Sequence, residues 1–230
     1  MKIQSTNKSN NKITYQNFKA KDYAKVITMA NGLKEELKIY EIEYADIIFL
    51  DKMSMNIKLK ELLPEHISYT KQQLKTWKNI IDNSIMMSAF SSPEKAFLLT
   101  KSKRPCGIMS FQDNLNGTIY LDNLATWPFE KGKRAKMAGQ TLMKILFMNA
   151  EEKEIKNIGL ALPANLKEKS KAFYEKLHFR NASISNPNFD MEIFSGGYKN
   201  ALDALEPLIK VNKSKNPPKV CLGQILNINY

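Results

Sequence analysis

Gly117-Thr-Ile-Tyr-Leu-Asp-Asn-Leu-Ala-Thr-Trp-Pro128 is β-branched and aromatic, opens after Asn116-Gly117 and stops at a proline, so it reads as one strand. The loop after it is dense in positive charge: Lys131, Lys133, Arg134 and Lys136 fall within six residues, with Gly132 and Gly139 loosening the backbone. Leu142, Ile145, Leu146 and Ala150 then repeat at helical spacing. A basic loop at a helix start suits a diphosphate, because free backbone N–H groups and the positive end of the helix dipole both favour an anion there.

Working outward, Lys156-Asn-Ile-Gly-Leu-Ala-Leu-Pro163 is a near-continuous apolar run, as expected of a strand buried on both faces. A second helix is predicted over Lys167–Leu177, with Ser170, Phe173, Tyr174 and Leu177 on one stripe, and Met191–Phe194 reads as a closing strand. Upstream, Lys95–Lys101 and Cys106–Gln112 read as two strands of a hairpin that the Gly117 strand continues as an antiparallel meander. Ile13–Phe18 reads as a short first strand, and Asp22–Leu37 carries Tyr23, Val26, Ile27, Met29, Ala30, Leu33 and Leu37 at intervals that suit an amphipathic helix. Residues 40–90 read as two or three helices broken at Pro64, and a last short helix is predicted over Ala201–Lys210. The expected organisation is a flexible polar lead over residues 1–12, one domain over 13–197 and a C-terminal extension over 198–230.

A chain of 230 residues with 43% apolar composition is long enough to bury one substantial core. No stretch approaches the roughly 20 apolar residues of a membrane span, and Met1–Asn11 is polar, so the expectation is a soluble, cytoplasmic protein. Two cysteines (Cys106, Cys221) and two histidines (His66, His178) make neither a disulfide framework nor the spacing of a metal site, so no metal is expected. The net charge of +12 is uneven, with about +7 of it over residues 101–180 around the candidate phosphate loop. That surplus fits a lysine-rich solvated surface, a polyanionic cofactor or nucleic acid.

Leu124-Ala125-Thr126-Trp127-Pro128, the basic loop into a helix, the second apolar strand and Ala172-Phe173-Tyr174-Glu175-Lys176-Leu177-His178-Phe179 together resemble the GNAT (Gcn5-related N-acetyltransferase) superfamily, over roughly residues 95–195. The resemblance implies an α+β fold: a mixed, mostly antiparallel central sheet with helices on both faces, here with a helical insertion before the central strands and a C-terminal extension. It implies acetyl-CoA as cosubstrate and acetyl transfer to a primary amine by direct attack. The family's loop motif is best matched by Arg134-Ala135-Lys136-Met137-Ala138-Gly139, followed by Gln140, and its amides would hold the pyrophosphate. Met137 stands where the family has its first glycine, which either crowds the diphosphate or costs roughly 1 kcal/mol in strain. A second register, from Lys131-Gly132-Lys133, keeps the ordinary spacing from Pro128 but places Gly139 and Gln140 where the family has leucines.

The family also parts two neighbouring strands to take the pantetheine arm. Leu124, Ala125 and Thr126 match the strand segment that pairs with the arm, and Asn165 is placed to contact it from the other side. Asn and Ala, which the family often carries seven and four residues before its tyrosine, are Lys167 and Ser170 here. Tyr174 matches the tyrosine that lies by the cofactor sulfur as general acid; by its spacing alone it equally packs the helix onto the sheet. Asp122 is the candidate base, since alternation along the strand puts Tyr120, Asp122 and Leu124 on one face, though Asp122 could also cap a loop or meet a surface lysine. Two other roles stay open: a non-catalytic module of this fold binding RNA or an acidic partner through its basic surface, and an enzyme whose acceptor is a tRNA or protein. The size of the insertion and tail also fits a homodimer contact.

Overall fold

The computed structural model describes residues 19–42, 94–114, 116–126, 135–162, 167–182 and 188–221. Its first two strands, β1 (Lys19–Ala30) and β2 (Leu33–Ile42), form a long antiparallel hairpin where a helix was expected over Asp22–Leu37. The apolar spacing there satisfies both periods, and two local facts decide for the strand. Asn31 and Gly32 take φ of 52° and 74°, the left-handed pair that a two-residue hairpin turn requires. Val26-Ile27-Thr28 is β-branched, and burial follows a period of two, with Ala24, Val26 and Thr28 inside. The strand expected over Ile13–Phe18 lies outside the described residues, and of the helical stretch expected over residues 40–90 only Tyr40–Ile42 is described, as the end of β2 rather than a helix.

β3 (Glu94–Lys101), β4 (Arg104–Asn114) and β5 (Thr118–Thr126) make the predicted meander, with Ser102 and Lys103 at φ 49° and 64° in the first turn and Gly117 at 78° in the second. β6 (Asn157–Leu160), buried at all four positions, joins β5 in parallel. Next come β8 (Met191–Phe194) and the two-residue edge strand β7 (Arg180–Asn181). At the other end β9 (Ile209–Lys213) and β10 (Lys219–Cys221) both pair with β1. Among the described residues the result is a ten-stranded sheet of order β10-β1-β2-β3-β4-β5-β6-β8-β7, with β9 off this path on β1, antiparallel at every pairing except β5–β6.

Among the described residues, three helices pack into one cluster on one face of this sheet. Helix α1 (Ala138–Glu152) is buried on almost every side, and Leu142, Ile145, Leu146, Phe147 and Ala150 are wholly enclosed. α2 (Lys167–Glu175) covers the region of its N-terminus, and α3 (Ser195–Leu205) lies alongside, where Phe147 stacks on Tyr198 at 6.2 Å. The tail helix therefore starts at Ser195 and ends at Leu205, rather than running from Ala201 to Lys210. Gly197 allows the early start, since a Cβ there would come 2.8 Å from Ile193 Cγ1. Lys144, buried on α1, donates to Glu206 Oε2 and to the Ile209 carbonyl, both at 2.5 Å, and so ties the entry of β9 to the central helix. The opposite face is apolar too, with Tyr40, Ile42, Leu98, Ile108 and Ala125 buried. Among the described residues no helix is long and apolar enough to cross a membrane.

Both α1 and α2 end in a left-handed residue that is not glycine. After α2, Phe179 N–H reaches the Tyr174 carbonyl at 3.1 Å and His178 N–H the Glu175 carbonyl at 3.0 Å, the double bond of a Schellman end, with His178 at φ 66°. After α1, Ile155 and Glu154 repeat the pattern onto Ala150 and Glu151, with Glu154 at φ 53°. An L-residue in this conformation costs about 1–2 kcal/mol, of which the entropy of a flexible unfolded glycine returns part. His178 is exposed, so its ring gives little back. His178→Gly is expected to raise unfolding free energy by about 0.5–1 kcal/mol, read as a higher urea midpoint with an unchanged m value.

Candidate active site

β5 and β6 pair only from Thr118–Leu121 against Asn157–Leu160. Beyond Leu121, β5 runs on to Thr126 holding β4 alone among the described residues. The chain after β6 stays instead with the segment entering β8: Asp190 N–H bonds the Leu160 carbonyl at 2.9 Å, and Leu162 N–H bonds Asp190 Oδ2 at 2.8 Å. The Leu162 bond first, and then that of Lys167 at 3.1 Å, hold the Asp190 carboxyl below the usual carboxylate range. Two parallel strands thus part like a V, and the backbone of Asp122–Thr126 lines one arm of the opening.

A β-bulge sits at the point of parting. Phe111 pairs with Leu121 and Ser110 with Asn123, which leaves Asp122 as the extra residue. Leu124, opposite Met109, and Thr126, opposite Gly107, therefore face α1, whereas Tyr120 and Asp122 face the other way. Asp122 Oδ1 accepts from Gln112 Nε2 at 3.2 Å on that second face, and Asn123 Nδ2 donates to Ser110 Oγ at 3.3 Å. The alternation that placed Asp122 and Leu124 on one face does not hold: one inserted residue reverses it. Ala125, opposite Ile108, is buried on the second face.

α1 begins at the open end of β5. A Cβ on Gly139 would lie 3.9 Å from Thr126 Cγ2 and 3.1 Å from Phe173 Cζ, so this glycine lets the first turn of α1 close against both β5 and α2. Ala138 is buried and Gln140 is half-buried beside it. Met137 caps the helix at φ 57°, ψ 21° with no side-chain bond; of the two expected penalties the backbone takes the strain, because the residue adopts the left-handed conformation glycine favours. Lys136 supplies a feature that sequence reasoning missed. Its backbone N–H donates to Glu35 Oε2 at 2.9 Å, and Glu35 Oε1 lies 3.0 Å from Lys101 Nζ. No local pattern links β2 to this loop. Arg134 and Asn165 lie outside the described residues.

Tyr174, in the last turn of α2, is buried edge-on to Phe173 at 5.1 Å and Phe179 at 5.4 Å, in the same cluster as α1. Burial pushes its phenol well above the ordinary range, so it stays protonated at neutral pH. Tyr174 and Asp122 hence stand on opposite sides of the sheet, with the parted strands between. On the Asp122 side, Phe189 stacks on Tyr120 at 5.7 Å and lies flat over Gly159, where a Cβ would fall 2.3 Å from the ring. The Tyr120 phenol is raised by burial first and then by Asp122 and Asp190. Glu192, opposite Gly159 on β8, is buried there, 3.9 Å from Arg180. Cys106 is buried and its thiol is pushed up to about 12, chiefly by burial, which makes it inert as a nucleophile.

Among solved structures, the chain is similar to an N-acetyltransferase, PaiA, from Thermoplasma acidophilum in complex with coenzyme A (17% identity, 69% of this chain and 98% of that one, TM-score 0.45). It is similar also to a GNAT-family acetyltransferase from Staphylococcus aureus Mu50 (17%, 69% and 99%, 0.45). A third likeness is to spermidine N-acetyltransferase from Vibrio cholerae with CoA and spermine (16%, 71% and 98%, 0.43). At these identities and TM-scores the likenesses carry no inference about what this chain acts on. No curated protein matches the chain. The model of the acetyltransferase (GNAT) domain, however, matches residues 65–191, more than half of the chain and the span that holds the parted strands, the loop, α1 and Tyr174: the protein belongs to the GNAT acetyltransferase family, whose cosubstrate is acetyl-CoA.

Proposed function

We propose that this protein is a cytoplasmic N-acetyltransferase that moves acetyl from acetyl-CoA to a primary amine by direct attack. The observation that carries the reading is the parting of β5 from β6 with the N-terminus of α1 at its open end. It supplies a slot lined by the backbone of Leu124, Ala125 and Thr126 for an amide-bearing arm, and an anion-favouring helix start beside it for a diphosphate. The loop already accommodates an anion, since a carboxylate occupies one of its amides. Lys136, Met137, Ala138, Gly139 and Gln140 are assigned to the diphosphate, with Arg134 and Asn165 assigned by motif.

When bound, the cosubstrate supplies an activated acetyl thioester. The chain's own groups then have three tasks. Backbone N–H groups of β5 beyond the bulge orient and polarise the acetyl carbonyl. Asp122, on the second face, takes the proton that the amine must lose for its lone pair to attack. Tyr174, on the first face, directs its hydroxyl at the sulfur as negative charge builds there. An acceptor arriving from the second face would meet Tyr120, Phe189 and Asp122, an aromatic and acidic wall on a cationic protein, which suits a cationic amine.

CoA is expected to raise the melting temperature of the protein, because ligand at about 100 times its dissociation constant adds roughly 2.7 kcal/mol to the native state. No shift at millimolar CoA, together with RNA binding that weakens steeply with salt, would replace the enzyme by a binding module of the same fold.

A further inference from the structure

We propose that Glu35 sets the affinity of this site for its cosubstrate, holding one of the loop's own amides with a carboxylate that an incoming diphosphate must compete with. The inference rests on the assignment of the α1 start to the diphosphate. Glu35 reaches the loop from β2, and its Oε2 takes the Lys136 N–H at 2.9 Å, immediately before a helix of 15 residues whose cap residue makes no side-chain bond. The positive end of α1 is thereby already served by an anion, one the chain carries itself. Its second oxygen is neutralised by Lys101 at 3.0 Å, and the carboxylate is only 15% exposed, so solvent screens it little.

Two effects follow for an arriving diphosphate. One amide is already bonded, and the field that would attract the ligand is partly cancelled by a like charge beside it. Lys101 remains as a counter-ion for the carboxylate once it has been moved aside, which keeps displacement affordable. A simple structural brace would need only a hydrogen-bond acceptor at this place. Glutamine offers that acceptor without the charge, so Glu35→Gln separates competition from bracing.

The experiment is a calorimetric titration of CoA, and of pantetheine as the same arm without diphosphate and nucleotide, into wild-type protein and Glu35→Gln, with Glu35→Ala as the second variant. One charge at a helix N-terminus is worth up to about 2 kcal/mol, so CoA should bind Glu35→Gln about 5- to 30-fold more tightly than wild type. Glu35→Ala should gain at least as much, and pantetheine should change less than about twofold. Equal or weaker CoA binding by Glu35→Gln overturns the inference while leaving the cosubstrate assignment intact. A gain for pantetheine as large as for CoA overturns it as well, because the effect would not then lie at the diphosphate. Failure of all three proteins to bind CoA would bring down the assignment of the site and this inference with it.

Discussion

Gly139→Asp is expected to weaken CoA binding by more than about 100-fold while the protein remains folded, whereas Gly139→Ala keeps binding within a few-fold of wild type. Space and charge pull apart at this position. The first Cβ meets only the far edge of the Phe173 ring, at 3.1 and 3.2 Å, and Thr126 Cγ2 at 3.9 Å. Phe173 is half-buried and can yield by the few tenths of an ångström required. Alanine also recovers close to 1 kcal/mol of helix propensity against glycine, which offsets that crowding. Aspartate adds a charge in the first turn of α1, where the helix dipole welcomes it in the ligand-free protein. The same charge then meets the diphosphate. Two unit charges about 4 Å apart at an effective dielectric near 20 repel by roughly 4 kcal/mol, and the diphosphate carries more than one. Titration of CoA into both variants, with a urea melt of each, checks the expectation. Wild-type CoA affinity in folded Gly139→Asp would move the diphosphate away from α1, to the alternative loop register built on Lys131-Gly132-Lys133.

How far the sequence led depends on whether a signal was local. The strand from Gly117, the buried run of β6, the apolar stripe of α1 through Leu142, Ile145, Leu146 and Ala150, and the packing stripe of α2 each declare themselves within one element, through period and residue type. The β1–β2 hairpin was also legible, since Asn31-Gly32 after the β-branched Val26-Ile27-Thr28 is a strong short-range hairpin signal, but an apolar spacing that also fitted a helix outweighed it. Other features could not be read from the chain alone. The bulge at Asp122 depends on which residues of β4 lie opposite, and it turns the candidate base away from Leu124. Pairing of β9 and β10 with β1 joins the two ends of the chain in one sheet, a long-range contact with no local trace. Glu35 is the sharpest example: an ordinary glutamate in a charged strand, it gains its role only because the fold brings it to the amide of Lys136.

Tyr174→Phe should leave stability and CoA affinity near wild type and lower the rate of acetyl transfer by about 10- to 100-fold, the same at every pH between 6 and 9. Removing one oxygen keeps the ring, and with it the edge contacts to Phe173 and Phe179 and the burial that a structural role would need. The size of the effect follows from the phenol's environment. An ordinary thiol titrates near 8.5, and burial has moved the Tyr174 hydroxyl well above its usual value of about 10, so complete transfer of its proton to the departing thiolate is uphill. What the hydroxyl offers is a strong hydrogen bond to sulfur as charge develops, which is worth less than a matched general acid. The sign of the pH dependence follows from the same shift: a group that holds its proton to beyond pH 10 adds no limb to the profile below it, so the loss is uniform across the assay range. Asp122→Asn, by contrast, should alter the shape of the profile, since it removes a group that must be ionised to take a proton from the amine. Single-turnover rates with a screened amine acceptor are the right measurement, because slow product release would mask a change in the chemical step. Full turnover by Tyr174→Phe would return this residue to the packing role that its position among Phe173, Leu177 and Phe179 also explains, and would leave the sulfur to be protonated by water.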